Sequence, residues 1–592
     1  GTSQSPNSVF RWDGSSWSLF KSCNAPSSGG NLQIAYDKEA CPGNVISYAS
    51  SCSWKGETYL FGGTNVSSGD YSSTLYKFNG QNFAFESSSG LNNYAFQYAN
   101  SAMISFPGGL NRAAWTYDEQ SQSLYLYGGD SYDPGYHSNL WKYQNGDWIW
   151  LTGSGASSYT SAVHGTQGVT SANNTPGSRM DAVMWMGSGD TLWLFGGYGY
   201  DENGSVGRLS DLYCYVEGEW TWMKGSKFKD DLGSFGTQGQ AAASNNPPGL
   251  SGMKVWTNPQ GEAYIFGGIS AASSNAYYNT IWKFNGTNWI WIKGDNTFGS
   301  SATYGTKGIP AAGNNPGGSF NFTLAGDANG FYTYGGEIYY SHRSTPHFSN
   351  QLWYFDASTE EWTFLFGSTL GASNVPTYDV ETKNSNLVNP GYNRGGASWV
   401  ANGKFYLSSG LIYTGISSHY YTPSNNLWEW DGTYWSWNKG AKDAEGADPN
   451  LAVYNSESEF NYDHIPAPRY YPIYWKAGNS LYLAKGLVTA SGMNSQNLDD
   501  MWAFHPGNFW NGSTWSNGLP NTPQENVQII SSSSPNQDIK AYSLLIDADL
   551  SVNVNSYKLI LNKDLFAYGN LSGVDELHFE GEQDQYIWGN QC

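Results

Sequence analysis

The sequence is poor in charge. Asp, Glu, Lys and Arg make up only 13% of its 592 residues, and Asp plus Glu outnumber Lys plus Arg by 49 to 28. The net charge of −21 argues against binding to nucleic acid or to an anionic membrane surface, since both need a basic footprint. No apolar run approaches the roughly 18 residues of a transmembrane helix, so we expect no membrane-spanning segment. No signal peptide is recognisable and residue 1 is glycine, so we expect a processed or trimmed N-terminus.

Cysteine is also scarce, and the five cysteines are unevenly placed. Cys23 and Cys41 bracket a loop near the N-terminus, and we predict a disulfide between them, which would restrain that loop. Cys52 and Cys214 lie in predicted strands, and we expect them to be buried thiols.

Familiar catalytic motifs are missing. The sequence contains no nucleophile elbow, no HExxH and no phosphate-binding loop. The carboxylate pairs Asp230-Asp231 and Asp499-Asp500 are sequence neighbours, so they do not face each other as an acid–base pair must. Asp201, in the stretch DENG, is a calcium candidate, although a solvated loop is the simpler interpretation. We therefore expect no catalytic residue and no cofactor other than this possible calcium ion.

Aromatic residues and glycine are abundant instead, with 17% aromatics and 72 glycines. They recur in stretches such as IWKFNGTNWIWIKG, from Ile281 to Gly294. Asn285-Gly286 favours a two-residue hairpin turn with positive φ, flanked by alternating strand residues. Trp289 and Trp291 should point to one face, because side chains alternate along a strand. Related stretches begin at Val9, Leu75, Leu140, Leu212, Leu352 and Leu427.

A second recurring feature is an apolar run followed by two glycines, as in LWLFGG, which ends at Gly197. Glycine is favoured where one backbone approaches another closely or turns sharply. Together with the hairpins, these runs predict units of four antiparallel strands, A to D, repeating about every 65 to 75 residues; such units stack radially into a β-propeller. Further glycine pairs occur at Gly62-Gly63, Gly128-Gly129, Gly267-Gly268 and Gly335-Gly336.

The apolar strand, the double glycine, the loop, the aromatic strand and the spaced tryptophan together resemble the kelch repeat. The resemblance covers about Val9 to Phe504 and is to long-loop extracellular kelch proteins such as those of Bacteroidota. It implies an all-β fold, a seven-bladed kelch-type β-propeller over residues 1–506. The hairpin at Val9–Phe20 should close the ring with the last blade, beside Leu481–Phe504, which would remove open sheet edges.

Residues 507–592 lack the double glycine and the paired tryptophans. Short apolar runs such as YKLILN and ELHFEG predict a small β-rich module. It resembles the solenoid-like or sandwich modules of secreted Bacteroidota proteins, and the sequence can end before such a module is complete.

The B–C and D–A loops are long, whereas the A–B and C–D turns are short, so one propeller face should carry the long loops. The repeated GTxG…NxPG in the D–A loops predicts packed, ordered loops. Long loops in compact domains are usually functional, and these carry most of the histidines. The predicted ligand-binding residues are Tyr132, Tyr136, His137, Tyr198, Tyr200, Tyr277, Tyr278, Tyr339, Tyr340, His342, His347, His419, Tyr420 and Tyr421.

Flat tyrosine and histidine rings stack on sugars, and their polar tips form hydrogen bonds. The same residues suit a protein partner, or they simply pin the loops in place. The sequence therefore predicts an extracellular, non-enzymatic recognition protein that binds a glycan or a protein ligand.

Two alternatives remain at this stage. The first is a propeller enzyme, either carbohydrate-active or an oxidase. Copper-radical oxidases with kelch propellers need a Cys–Tyr crosslink and two histidines at the axis, and the sequence offers no suitable cysteine. Sialidases need three arginines, and arginine is scarce here. The second alternative is a structural component of a cell-surface or secretion-associated assembly.

Overall fold

The computed structural model describes residues 107–131, 135–154, 159–271, 275–340, 346–370, 375–378, 388–401, 403–413, 421–440 and 468–477, and elsewhere chiefly individual strands. Regular structure in these parts is β, apart from one 3-10 turn at Ser188–Asp190. No helix among the described residues is long and apolar enough to span a membrane.

In chain order, the strands of the repeat region are β1 Asn7–Trp12, β2 Trp17–Cys23, β3 Ser50–Trp54, β4 Glu57–Phe61, β5 Leu75–Phe78, β6 Phe83–Ser87, β7 Ala114–Asp118, β8 Ser123–Tyr127, β9 Asp130–Ser131, β10 Gly135–Tyr136, β11 Leu140–Gln144, β12 Asp147–Thr152, β13 Arg179–Met180, β14 Val183–Met186, β15 Leu192–Phe195, β16 Tyr198–Tyr200, β17 Val206–Arg208, β18 Leu212–Val216, β19 Glu219–Lys224, β20 Lys254–Thr257, β21 Ala263–Phe266, β22 Ile281–Phe284, β23 Trp289–Lys293, β24 Ser319–Phe320, β25 Thr323–Gly326, β26 Gly330–Tyr334, β27 Glu337–Ile338, β28 His347–Phe348, β29 Leu352–Asp356, β30 Glu361–Phe366, β31 Ala397–Ala401, β32 Lys404–Ser408, β33 Leu411–Tyr413, β34 Tyr421–Pro423, β35 Leu427–Trp430, β36 Trp435–Lys439, β37 Ile473–Ala477, β38 Ser480–Ala484, β39 Leu487–Val488, β40 Gln496–Asn497 and β41 Met501–Phe504. They are followed by β42 Gly507–Trp510, β43 Asn526–Ile529, β44 Ile539–Ala541, β45 Ser543–Ile546, β46 Ser551–Leu561, β47 Leu565–Ala567, β48 Asn570–Phe579 and β49 Ile587–Gly589.

Four-stranded antiparallel sheets follow one another along the chain in the predicted A-B-C-D order. They are sheet 1 (β3, β4, β5, β6), sheet 2 (β7, β8, β11, β12), sheet 3 (β14, β15, β18, β19), sheet 4 (β20, β21, β22, β23), sheet 5 (β25, β26, β29, β30) and sheet 6 (β31, β32, β35, β36). Sheet 7 has the order β37-β38-β41-β1-β2. Strand β1 runs parallel to β41, with Val9 opposite Met501, so the N-terminal hairpin takes the place of a fourth strand.

The first strands of sheets 1 to 4 lie beside one another in turn, as do those of sheets 5 to 7, and β37 lies beside β3. Sheets 4 and 5 are joined where the indole N–H of Trp256 donates to the carbonyl of Asp327, at 3.1 Å. The first strands therefore form the inner wall of the molecule. The all-β, propeller-like fold predicted from the sequence is confirmed, and seven blades for the chain as a whole stays a prediction.

The hydrophobic core lies between neighbouring sheets. Between sheets 3 and 4, Phe195 and Trp282 belong to one buried cluster with Trp289, whose ring centroid lies 5.1 Å from that of Phe195. Trp291 packs against the same cluster while remaining partly exposed, so the two tryptophans share a face as expected. Sheets 2 to 5 bury both faces against their neighbours, and large aromatic rings fill the gaps.

The hairpin turns are of two kinds. Asn145 and Gly146 both have positive φ (55° and 93°) between the paired residues Gln144 and Asp147, as a two-residue turn requires. The prediction for Asn285-Gly286 is wrong in this detail. There the loop is longer, only Gly286 has positive φ (88°), and the side-chain oxygen of Asn285 accepts the N–H groups of the next two polar residues.

The double glycine joins one sheet to the next. Gly196 and Gly197 both have positive φ, and the N–H of Gly197 donates to the carbonyl of Leu250 in the connection to sheet 4, at 2.9 Å. Gly129 makes the same bond to Arg179, also at 2.9 Å. A Cβ atom on Gly128 would lie 2.3 Å from the Arg179 carbonyl oxygen, so a side chain there would force the sheets apart. The close approach inferred from the sequence is thus between successive sheets.

The D–A loops that precede sheets 3, 4 and 5 run along the outer strand of the sheet that follows. Each contains a buried asparagine: Asn174, Asn245 or Asn314. The amide of Asn245 donates to the carbonyl of Gln240 in its own loop (2.8 Å) and to that of Trp289 in the outer strand (3.1 Å). These loops are ordered, as expected, but a large part of each covers a sheet edge instead of joining the predicted binding face.

The strands after β41 pair in parallel. One sheet has the order β42-β43-β45-β47-β49 and another the order β44-β46-β48. Parallel pairing of strands from successive turns of the chain is typical of a β-solenoid and differs from an antiparallel sandwich. The domain limits at residues 506 and 507 stay predictions.

Cys214 is a buried free thiol in β18, as expected, and burial raises its pKa. The side chains of Cys23 and Cys41 lie outside the described residues, and the disulfide between them stays a prediction.

Candidate ligand-binding site

One position recurs at the entrance to every described inner strand from sheet 2 to sheet 7. The residue two places before the strand has positive φ, between 50° and 67°. These residues are Arg112, Asp181, Gly252, Asn321, Gly395 and Tyr471. Because the inner strands lie side by side, the six residues surround one end of the inner wall, and we call them the entrance ring.

The identities at the entrance ring follow from local contacts. A Cβ on Gly252 would lie 2.7 Å from the ring of Phe320, and a Cβ on Gly395 would lie 2.5 Å from the ring of Tyr471. Glycine is therefore required at these two positions. Arginine and tyrosine have no intrinsic preference for this left-handed conformation, so the sheet imposes it at a cost, and such strain concentrates at functional sites.

Arg112 is held by two carboxylates. Its Nε donates to Asp130 at 3.4 Å and its Nη1 to Asp181 at 3.1 Å. Burial raises the pKa of Asp181; Arg112 opposes this effect, while the neighbouring Asp130 adds to it. Lys254, the first residue of β20, is solvent-accessible and lies in the electrostatic field of Asp181. We call Arg112, Asp130, Asp181 and Lys254 the charged group.

A second set of polar contacts lies at the entrance to sheets 6 and 7. Arg394 Nη1 is 3.3 Å from Glu337, and its Nε donates to the hydroxyl of Tyr471 at 3.1 Å. The hydroxyl of Tyr277 donates to the same Glu337 at 3.2 Å. These contacts link the B–C loops of sheets 4 and 5 to the segments just before the inner strands of sheets 6 and 7.

Beside the charged group lies a cluster of four tyrosines, which we call the tyrosine platform: Tyr136, Tyr159, Tyr198 and Tyr200. The ring of Tyr136 lies 5.9 Å from that of Tyr198 and 6.1 Å from that of Tyr200. Tyr159 lies 5.0 Å from Tyr200 and is 55% exposed. Tyr136 pairs in the backbone with Asp130, whose carboxylate accepts a hydrogen bond from Arg112, so the platform and the charged group adjoin.

The platform rests on a buried ionic network. Arg179 and Asp211 are fully buried and form a two-pronged ion pair, at 2.6 and 2.8 Å. The ring Nε2 of the buried His164 lies 3.2 Å from Asp211. In β13 the backbone of Arg179 pairs with Gly199, between Tyr198 and Tyr200. The network therefore fixes the strand that presents two platform tyrosines.

Four other tyrosines predicted to bind ligand are buried in the protein interior. Tyr277 and Tyr339 are buried in a small cluster with Phe320. Tyr278 and Tyr340 are 2% and 0% exposed, so the prediction that they contact a ligand needs correction. The Tyr340 hydroxyl donates to the carbonyl of Phe348 (3.3 Å), which anchors a loop.

The described histidines are also structural. His137 is buried against the hydroxyl of Ser131, at 2.7 Å, and burial lowers its pKa to about 4. It is therefore neutral at physiological pH. His347 is partly buried, and its Nδ1 accepts the N–H of Phe348 at 3.1 Å.

Five predicted residues cannot be placed in the site. Tyr132, His342, His419 and Tyr420 lie outside the described residues. The backbone of Tyr421 belongs to β34, and its side chain lies outside the described residues.

The carboxylate of Asp201 has a local role. One oxygen accepts the N–H groups of Asn203 (2.9 Å) and Ser205 (2.8 Å), and the other accepts that of Lys229 (3.2 Å). The side chain thus organises its loop, and at 2% exposure it is buried, so the solvated loop expected from the sequence is wrong in this respect. Within the described part of the chain, no three His, Cys, Asp or Glu residues are grouped to hold a metal ion.

Sequence reasoning missed Tyr159, Arg112, Asp181 and Lys254. Tyr159 lies in a D–A loop and has no neighbouring tyrosine in the sequence. The other three share a usable signal, since each lies within two residues of the start of an inner strand or at that start.

Comparisons with known proteins add little. No protein-family model and no curated protein matches the chain. Among solved structures, one titled "Structure of YjhT" is similar, with a TM-score of 0.37 and 12% sequence identity, over 78% of this chain and 96% of that chain. A TM-score this low supports no inference about function.

Proposed function

We propose that the protein is an extracellular, non-enzymatic recognition protein that binds a glycan at the tyrosine platform and the charged group. The observation that supports this most is their adjacency. Accessible tyrosine rings offer flat apolar faces to sugar C–H groups. Arg112 and its carboxylates offer planar donors and acceptors for sugar hydroxyls.

The geometry of Arg112 suits this role. Its guanidinium uses one N–H for Asp130 and one for Asp181, and its side chain is 35% exposed. An arginine has five N–H donors, so donors remain for a ligand. Because the two carboxylates already fix its orientation, little side-chain entropy is lost on binding.

The direct test is a glycan array followed by calorimetry with the best ligand. We expect Tyr159→Ala and Tyr200→Ala to weaken binding by about tenfold each, as for aromatic anchors in general. Tyr434→Ala is the matched control, because Tyr434 is 45% exposed but lies on the C–D turn of sheet 6. Circular dichroism would verify that all variants fold.

Absence of any glycan ligand would contradict the proposal. So would a ligand whose affinity is the same for the wild-type protein and both platform variants. Capture of a protein ligand through the same tyrosines would support the site and reject the glycan.

A further inference from the structure

A cavity of about 370 Å³ lies at the other end of the inner wall, near the ends of β25, β31 and β37. Its walls come from β25, β31, β37 and the turns after the first two. Gly403 and Ala401 line it, and a Cβ atom on Gly403 would meet nothing within 4 Å, so this wall leaves the space open. The volume is at the lower end of the range for small-molecule sites, so the ligand must be small.

Two opposite charges face this cavity. The ammonium of Lys476 donates to the carbonyl of Val400, at 2.8 Å. The carboxylate of Asp327 accepts the N–H of Asn329, at 2.8 Å. Both residues are solvent-accessible, and the field of Asp327 reaches the ammonium of Lys476. They nevertheless form no ion pair among the described residues.

The remaining wall is apolar and aromatic. Trp399 is buried, and its ring meets that of Tyr474 edge to face, with centroids 5.6 Å apart. Leu324 and Val400 complete the apolar surface. The cavity therefore combines a cation, an anion and an apolar wall within one small volume.

We propose that this cavity is a second binding site, for a free α-amino acid with an apolar or aromatic side chain. The ligand carboxylate pairs with the ammonium of Lys476, and its ammonium pairs with Asp327. The side chain packs on Trp399. A zwitterion places an opposite charge beside each protein charge at once, whereas a neutral ligand of this size would displace water from both groups without supplying a compensating charge. This site is independent of the tyrosine platform.

Calorimetry of the full chain with phenylalanine and leucine tests the proposal. N-acetylphenylalanine lacks the ammonium and phenylalanine amide lacks the carboxylate, so each should bind about tenfold more weakly than phenylalanine. This comparison needs no variant and does not depend on how well any variant folds.

Two variants test the assignment of residues. Lys476→Met and Asp327→Asn should each weaken phenylalanine binding by about tenfold or more. Lys293→Met is a matched control, because the ammonium of Lys293 also donates to a backbone carbonyl, that of Ala312, but on the outer edge. Asp431→Asn is the control for Asp327→Asn. Like Asp327, Asp431 accepts the backbone N–H of the residue two positions later, which is Thr433.

The proposal is overturned if neither amino acid binds at about 10 mM, where an interaction of only about 3 kcal/mol would register. It is also overturned if the two blocked derivatives bind as well as phenylalanine, or if Lys476→Met and Asp327→Asn leave binding unchanged. Binding of glucose in place of amino acids, lost in the same variants, would show a polyol site instead.

Discussion

Replacing Asp211 with asparagine should destabilise the protein and change its response to acid. The substitution preserves volume and removes the negative charge that faces Arg179, whose side chain is fully buried. Removing one partner of a buried ion pair typically costs about 3–5 kcal/mol, because an uncompensated charge remains in the interior. We expect a loss of that size in the free energy of unfolding at pH 7.

The pH dependence has a definite sign. Burial alone would raise the pKa of Asp211, but Arg179 and His164 lower it from its ordinary 3.8 to about 2. Since the pKa is lower in the folded state, this stabilisation is complete above about pH 4 and is lost as the pH falls through about 2. The difference corresponds to roughly 2 kcal/mol. Asp211→Asn should lack this part of the acid sensitivity.

Urea titrations at several pH values between about 2 and 7, followed by tryptophan fluorescence, measure both effects. Asp231→Asn is the control, because Asp231 is half-buried and accepts a single N–H, that of Gly233 at 2.8 Å. If Asp211→Asn is as stable as the wild-type protein at pH 7, or loses stability in acid to the same extent, the reasoning is refuted. Glycan binding should weaken as well, because the network fixes the strand that carries Tyr198 and Tyr200.

Other outcomes follow from packing and connectivity. Trp289→Ala should lower the free energy of unfolding by about 3–5 kcal/mol, and Trp291→Ala by less, about 1–3 kcal/mol, because only the first is fully buried; equal losses in urea unfolding would contradict this. Removal of residues 1–20 should lower the melting temperature, since β1 pairs with β41, and an unchanged value would show that the hairpin contributes nothing. Non-reducing peptide mapping should recover Cys23 linked to Cys41, and recovery of both as free thiols would remove that prediction.

The repeat architecture could be predicted because its signals are local. Alternating aromatic strands identify the hairpins, and the paired glycines identify the place where one sheet meets the next. The turn at Asn285 could not be settled in this way. An asparagine before glycine can supply positive φ, or its side chain can accept neighbouring N–H groups, and the second occurs there.

The candidate site was harder to predict because tyrosine, with an apolar ring and a polar hydroxyl, occurs both in protein interiors and at surfaces. Tyr278 stacks beside Phe235, and Tyr340 uses its hydroxyl to anchor a loop, so both satisfy an interior position. Tyr159 is also a tyrosine in a long loop, but its side chain is exposed. The sequence also gives no sign that Arg112 adopts a left-handed backbone conformation, since that conformation ordinarily favours glycine, asparagine or aspartate.

The D–A loops that contain a buried asparagine determine which residues must be transferred together when one sheet is grafted into another propeller. Because the loop before sheet 3 bonds to the outer strand of that same sheet, a graft of Val183–Lys224 alone would leave an unpaired, aggregation-prone flank. A graft that starts at Gly165 would include the loop that pairs with the outer strand, so that strand would not be left with a free edge. Chimeric propellers assembled with the second boundary should therefore be recovered as soluble protein more often than those assembled with the first.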